Sequence, residues 1–251
     1  MSNNDTSSNL PAYSRVVYGD IYGNLDKSTA MDSNFSAKLR TFFQYNRLVN
    51  AALHNIKINQ SVLQLGLVFG DEIDQVAQSV GAYGQYDIFD INDLQISRNR
   101  EKYGNVYPAL HIFKQDAADF EVSTPYDVVL CFLLLQELPS ATKSKVINNA
   151  LKAVKPGGSV VFVDYHNPSY WHPLRYIVRM YNRLRNPFVE KLWDRGIETY
   201  AKNKTDFIWR KSLYFGGMFQ RLVATRKTSP LEEALSAEQS SESNEFFLPD
   251  F

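Results

Sequence analysis

Residues 61–90 constrain this chain more than any other stretch. A short apolar run, Val62-Leu63-Gln64-Leu65, reaches Gly66, and Leu67-Val68-Phe69 leads on to Gly70. Ile73, Val76, Ala77 and Val80 then recur at helical spacing, Gly81 and Gly84 stop the helix, and a second short strand ends in Asp90. Strand, glycine turn, helix, strand and terminal acid predict the nucleoside-binding half of a doubly wound α/β sheet. Glycine lets backbone approach a ligand that a Cβ would push away. An acid at the tip of the second strand can accept both hydroxyls of a ribose. The spacing Gly66-x-x-x-Gly70 is not a strict G-x-G-x-x-G, and it fits the looser turn used for S-adenosylmethionine better than a dinucleotide turn.

The rest of the chain extends this unit. Residues 33–55 read as one or two helices with Phe35, Leu39, Phe42, Phe43 and Leu48 on an apolar side; they are either a lid across the cofactor cleft or a packing helix at the sheet edge. A helix over 93–102 precedes a third strand at 109–113, and Asp116 follows, placed to accept the exocyclic amine of an adenine. The apolar run 126–132 suits a central parallel strand covered on both faces. A helix over 142–154 and a Pro156-Gly157-Gly158 turn lead to a fifth strand, 159–163, which ends in Asp164-Tyr165-His166. Residues 206–214 and 218–225, split by Gly216-Gly217, read as a closing antiparallel hairpin. The expected fold is therefore α/β: a doubly wound, mostly parallel Rossmann-like sheet with N-terminal helices and a C-terminal antiparallel hairpin. The main domain is expected at 58–226, after a helical lid segment at 12–57. The polar residues 1–11 and the Ser- and Glu-rich residues 227–251 are expected to be disordered.

Composition narrows the function classes. Lys plus Arg and Asp plus Glu both number 27, so the formal charge is +0, which argues against a nucleic-acid partner. Cys131 is the single cysteine, which rules out an internal disulfide framework and a Cys-based zinc site. No apolar run approaches the ~20 residues of a membrane span, and the first nine residues hold no apolar signal core, so a cytoplasmic location is the expectation. Residues 170–195 form an insertion in which Leu174, Ile177, Met180, Tyr181 and Leu184 share one helical side. Arg175, Arg179, Arg183 and Arg185 lie on the others, with Trp171 and Trp193 at its flanks. It is either an interfacial helix or an amphipathic cover over the site.

The order of elements, the loose turn, Asp90, Asp116 and Lys155-Pro156-Gly157-Gly158 resemble the class I S-adenosylmethionine-dependent methyltransferases. A narrower resemblance is to the rhodoquinone biosynthesis (RquA) family. It is carried by Val62-Leu63-Gln64-Leu65-Gly66, Cys131-Phe132-Leu133-Leu134, Glu137 with Pro139, Val163-Asp164-Tyr165-His166, His172-Pro173-Leu174-Arg175, Trp209-Arg210-Lys211 and Tyr214-Phe215-Gly216-Gly217. That family pattern has His where this chain has Gln136. The resemblance implies exchange of a ubiquinone ring methoxy group for an amino group, giving rhodoquinone. S-adenosylmethionine is then the nitrogen donor, Mn²⁺ assists, and the protein works peripherally on the cytoplasmic side of the inner membrane. The alternative is conventional methylation of a quinone precursor or another small aromatic.

Candidate site residues follow. For the cofactor they are Gln64, Gly66, Gly70, Asp90 with Ile91, Asp116 with Ala117, and Phe132. Gln64 stands where ordinary methyltransferases place an acid. It either holds the cofactor's amine weakly, leaving the nitrogen free to attack a ring, or makes the usual contact less strongly. Glu137, Asp164 and His166 are the candidate metal ligands, in keeping with the oxygen and nitrogen preference of Mn²⁺. The catalytic candidates are Glu137, Asp164, Tyr165 and His166; His166 is a general base in one reading and, like His172, a hydrogen-bonded structural residue in the other.

Overall fold

The computed structural model of the chain describes residues 37–39, 41–68, 70–185 and 188–228. The expectations for residues 1–36 and 229–251 lie outside these. In chain order the elements are α1 (Tyr45–Leu53), β1 (Ser61–Leu65), α2 (Glu72–Val80), β2 (Gln85–Asp90), α3 (Asp93–Tyr103), β3 (Leu110–Lys114) and β4 (Tyr126–Phe132). There follow α4 (Ser140–Lys152), β5 (Val154–Tyr165), α5 (Arg175–Arg185), α6 (Phe188–Arg195), β6 (Phe207–Tyr214) and β7 (Phe219–Arg226). Seven strands make one sheet in the order β3-β2-β1-β4-β5-β7-β6. Strands β1 to β5 run parallel; β7 lies antiparallel to β5 and β6 antiparallel to β7. The doubly wound sheet closed by a hairpin is the fold expected from the sequence.

Side-chain alternation along the central strands builds a core on each face. Val62, Tyr86, Ile88, Val128, Leu130, Phe132, Val161 and Val163 point to one layer, where α1 and α2 contribute Tyr45, Leu48, Ile73 and Val76. Leu63, Leu65, Val129, Cys131, Val160 and Phe162 point to the other, under Ile147 and Leu151 of α4. Cys131 is fully buried, and burial holds its thiol well above the usual range, so it is a core residue and no nucleophile.

Three local readings differ from the sequence-based expectation. Pro156-Gly157-Gly158 does not separate a turn from a strand. It lies inside β5 as a bulge, because the pairing steps from Tyr126↔Val154 to Val128↔Ser159. Helix α4 starts at Ser140, directly after Pro139, the extended N-cap residue with φ −61° and ψ 156°. In the insertion, Val178 is buried and Leu174 packs half-buried on the core, whereas Ile177 and Met180 are exposed, so among the described side chains the expected stripe is not the packing face. The insertion is held instead by Val189, Leu192 and Trp193 of α6 and by Lys143 of α4, whose buried Nζ donates to the Phe188 carbonyl at 2.5 Å. Helix α1 packs through Leu48 and Val49, both fully buried.

Candidate functional site

The crevice beyond the carboxyl ends of β1, β2 and β4 is shaped first by backbone. At Gly66 the chain turns with φ +86°, and its N–H donates to the Phe89 carbonyl at 2.8 Å, tying the turn to β2. Gly70 has φ +120°, and a Cβ there would lie 2.3 Å from the Tyr45 hydroxyl oxygen. The room at Gly70 therefore admits Tyr45, a protein side chain, where the sequence suggested close approach of a ligand. The Tyr45 hydroxyl in turn accepts the Glu72 N–H at 2.9 Å, in place of a side-chain cap on α2, and Phe132 meets its ring edge-on at 6.5 Å. Phe132 is thus a core residue, buried beneath the crevice and not lining it.

Asp90 ends β2 as expected. Its Oδ2 accepts the Leu67 N–H and its Oδ1 the Asn92 N–H, each at 2.7 Å, so one carboxylate ties the glycine turn to the start of α3. With backbone amides on both oxygens, the carboxylate still has lone-pair capacity for a hydroxyl. The group is accessible at its rim yet enclosed by protein on most sides. Desolvation raises its pKa to about 6 against the opposing pull of the Leu67, Asn92 and Ile91 amides. Ile91 stays partly exposed beside it. Asn92 caps α3 through Leu94 N and Gln95 N, while its Nδ2 is buried without a hydrogen-bond partner. Asp116 is half-buried after β3 and receives the Ala118 N–H at 2.8 Å, with Ala117 half-buried next to it.

Gln64 is not at the mouth of the crevice. It is fully buried; its amide nitrogen donates to the Gly66 carbonyl at 3.1 Å and to Glu72 Oε2 at 3.0 Å, and its oxygen accepts from the Tyr86 hydroxyl. Sequence reasoning missed Glu72, Tyr45, Tyr86 and Asn92. For Glu72 a signal existed: it lies four residues before Val76 and eight before Val80, on the stripe that α2 buries. Burial raises the Glu72 pKa to about 7, opposed by the Gln64 hydrogen bond and assisted by Asp71.

At the ends of β4 and β5 the chain turns through Leu133, a non-glycine residue at φ +53°, into a 3-10 turn at Leu135–Glu137. Asp164 is fully buried. Its Oδ2 accepts the amides of Leu135 at 2.8 Å and Gln136 at 3.3 Å, and its Oδ1 accepts the Tyr165 N–H at 2.7 Å. Burial lifts its pKa to about 7, against the pull of those amides and of Lys143. His166 has its Nδ1 against the Gly217 carbonyl at 2.9 Å. Glu137 is half-buried on the 3-10 turn, and Tyr165 packs on Phe219 with ring centroids 4.7 Å apart. The expected metal set of Glu137, Asp164 and His166 does not fit an ion. The Asp164 carboxylate is turned onto backbone amides, and among the described residues no group of three or more His, Cys, Asp or Glu side chains gathers to hold a metal. Above β5, three segments meet instead through aromatic contacts: Phe42 stacks on Phe215 at 6.3 Å, and His172 meets Phe215 edge-on at 4.9 Å. A Cβ at Gly216 would lie 2.3 Å from His172 Cδ2, so that glycine sets the approach.

Comparison with known proteins agrees with this fold. A family model described as a methyltransferase domain matches residues 62–158, from β1 into β5 and under half of the chain. The ubiquinone/menaquinone biosynthesis C-methyltransferase UbiE of Proteus mirabilis is 24% identical over 155 residues; the match covers 57% of this chain and 62% of that relative's length. An O-methyltransferase family protein from Burkholderia thailandensis superposes with a TM-score of 0.64 at 14% identity, over 86% of this chain and 64% of that one. The N-methyltransferase NodS from Bradyrhizobium japonicum, solved with S-adenosyl-L-homocysteine, superposes at 0.53 and 14% identity, over 85% of this chain and 100% of that one. The chain has the Rossmann-like fold of the class I methyltransferases.

Proposed function

We propose that this protein is an S-adenosylmethionine-dependent methyltransferase whose acceptor is a flat apolar ring, a quinone precursor or a related small aromatic. The observation that carries the reading is Asp90 at the tip of β2, joined to the Leu67 amide of the glycine turn, within the segment matched by the methyltransferase model. Likeness to the quinone C-methyltransferase supports the acceptor class. The cofactor supplies an electrophilic methyl group on its sulfonium. Asp90 would hold the ribose and Asp116 the adenine. Phe42, Phe215 and His172 offer an aromatic wall to the acceptor. The Leu174 N–H donates to His172 Nδ1 at 3.2 Å, which leaves the proton of a neutral ring on Nε2 as a donor. When His166 Nδ1–H faces the Gly217 carbonyl, Nε2 is the basic nitrogen, suited to take a proton from the acceptor. Tyr170, Trp171, Tyr176, Ile177 and Met180 are all exposed on or beside α5, and Trp171 is 88% exposed. They support peripheral contact with a membrane carrying the acceptor.

Purified protein given S-adenosylmethionine and a demethylated quinone precursor should release S-adenosylhomocysteine in equal amount with a methylated ring. Absence of both defeats the reading. The amino-transfer chemistry implied by the rhodoquinone resemblance is the second reading, supported by the sequence motifs that carry that resemblance. It predicts from ubiquinone a product in which a methoxy group has become an amine, and mass spectrometry separates the two.

A further inference from the structure

We infer that Glu72, on the first turn of α2, is the anionic receptor for the α-ammonium group of the cofactor's methionine moiety, and that Gln64 is neutral so that Glu72 can be charged. The inference rests on the reading of the crevice as an S-adenosylmethionine site. Both hydrogens of the Gln64 amide are already engaged, by the Gly66 carbonyl and Glu72 Oε2. Its oxygen accepts from Tyr86, so Gln64 keeps no donor for a ligand. Glu72 is 1% exposed; one carboxylate oxygen is held by Gln64, and the other, Oε1, is buried without a hydrogen-bond partner. An orphaned buried carboxylate oxygen requires a donor, and a cationic donor satisfies both its hydrogen bond and its charge. The Gln64 amide reaches both the Gly66 carbonyl and Glu72, so this carboxylate borders the Gly66 end of the turn. Its place on the first turn of α2 adds the favourable end of the helix dipole.

Position 64 follows from the same geometry. A carboxylate there would stand about 3 Å from Glu72 Oε2, and two like charges at that distance cannot both ionise. Of positions 64 and 72, one can hold a charged acid, and in this chain the helix supplies it. An aliphatic ammonium suits a site made of one carboxylate, one amide and tyrosine hydroxyls. A metal ion would want several anionic oxygens.

Calorimetric binding to the full chain tests this with S-adenosylhomocysteine, its analogue lacking the amino group, and 5′-methylthioadenosine, which lacks the amino-acid portion. Wild-type protein should bind the deaminated analogue roughly tenfold or more weakly than S-adenosylhomocysteine, as expected for loss of a charged hydrogen bond. Glu72→Gln should weaken S-adenosylhomocysteine by a similar factor and leave 5′-methylthioadenosine within about twofold. Gln64→Glu should also weaken it, and the exchange Q64E with E72Q should recover most of the loss. Equal binding of the two homocysteine forms by wild type overturns the inference without any variant, as does a Glu72→Gln loss shared by all three ligands. If wild type binds none of them, the cofactor reading falls as well.

Discussion

Asp164 shows how a single side chain can look catalytic in sequence and act structurally in the fold. It ends β5, where acids often meet substrate, yet its carboxylate is fully buried and anchors the amides of Leu135 and Gln136. Asp164→Ala should therefore destabilise the protein by about 1–3 kcal/mol by leaving those amides unpaired; denaturant titration measures it. Asp164→Asn keeps an acceptor and tests the charge. The native pKa of about 7 lies above the ordinary carboxylate value near ~4, so the folded state holds a proton that the unfolded chain releases. The stabilisation from that proton is complete at low pH and is lost as pH rises from about 4 to 7. Melting curves of the Asn variant should fall less steeply across that window than those of the wild type. At the tip of β2, Asp90→Asn removes the carboxylate that holds the Leu67 amide and that the proposed function assigns to the ribose. It should weaken S-adenosylhomocysteine binding about tenfold or more in calorimetry, while the fold persists.

Elements are fitted to one another by a few close approaches. Helix α1 reaches the glycine turn through Tyr45, and Gly70 makes that contact geometrically feasible. Gly70→Ala should lower stability by more than about 2 kcal/mol, because it combines a forbidden contact with a φ that L residues rarely adopt. Chemical denaturation reads it directly. The β6–β7 turn is fitted in a similar way: Phe215 at φ +49° presents its ring to Phe42 and His172. Phe215→Ala should reduce kcat/KM for an aromatic acceptor by roughly tenfold and leave S-adenosylhomocysteine affinity within about twofold, since the ring is assigned to the acceptor side.

Across the whole molecule, none of the helices among the described residues is long and apolar enough to cross a membrane, yet the insertion exposes a compact set of aromatic and aliphatic side chains. The combined variant W171E, I177E and M180E should lose co-sedimentation with anionic lipid vesicles while turnover of a water-soluble quinone analogue is unchanged. Loss of both activities together would instead assign these residues to the site.

Sequence periodicity by itself determined the sheet, its mostly parallel sense, the closing hairpin and the position of Asp90. Each is written locally, in alternating apolar residues, glycines and a strand-end acid. Tertiary structure alone decided what the polar residues do. Gln64 is enclosed by Tyr86 from β2 and Glu72 from α2, and Asp164 by a loop almost thirty residues away, so neither role is encoded in neighbouring sequence. A side chain's chemistry depends on which groups desolvate and pair with it, and only the folded chain brings those groups together.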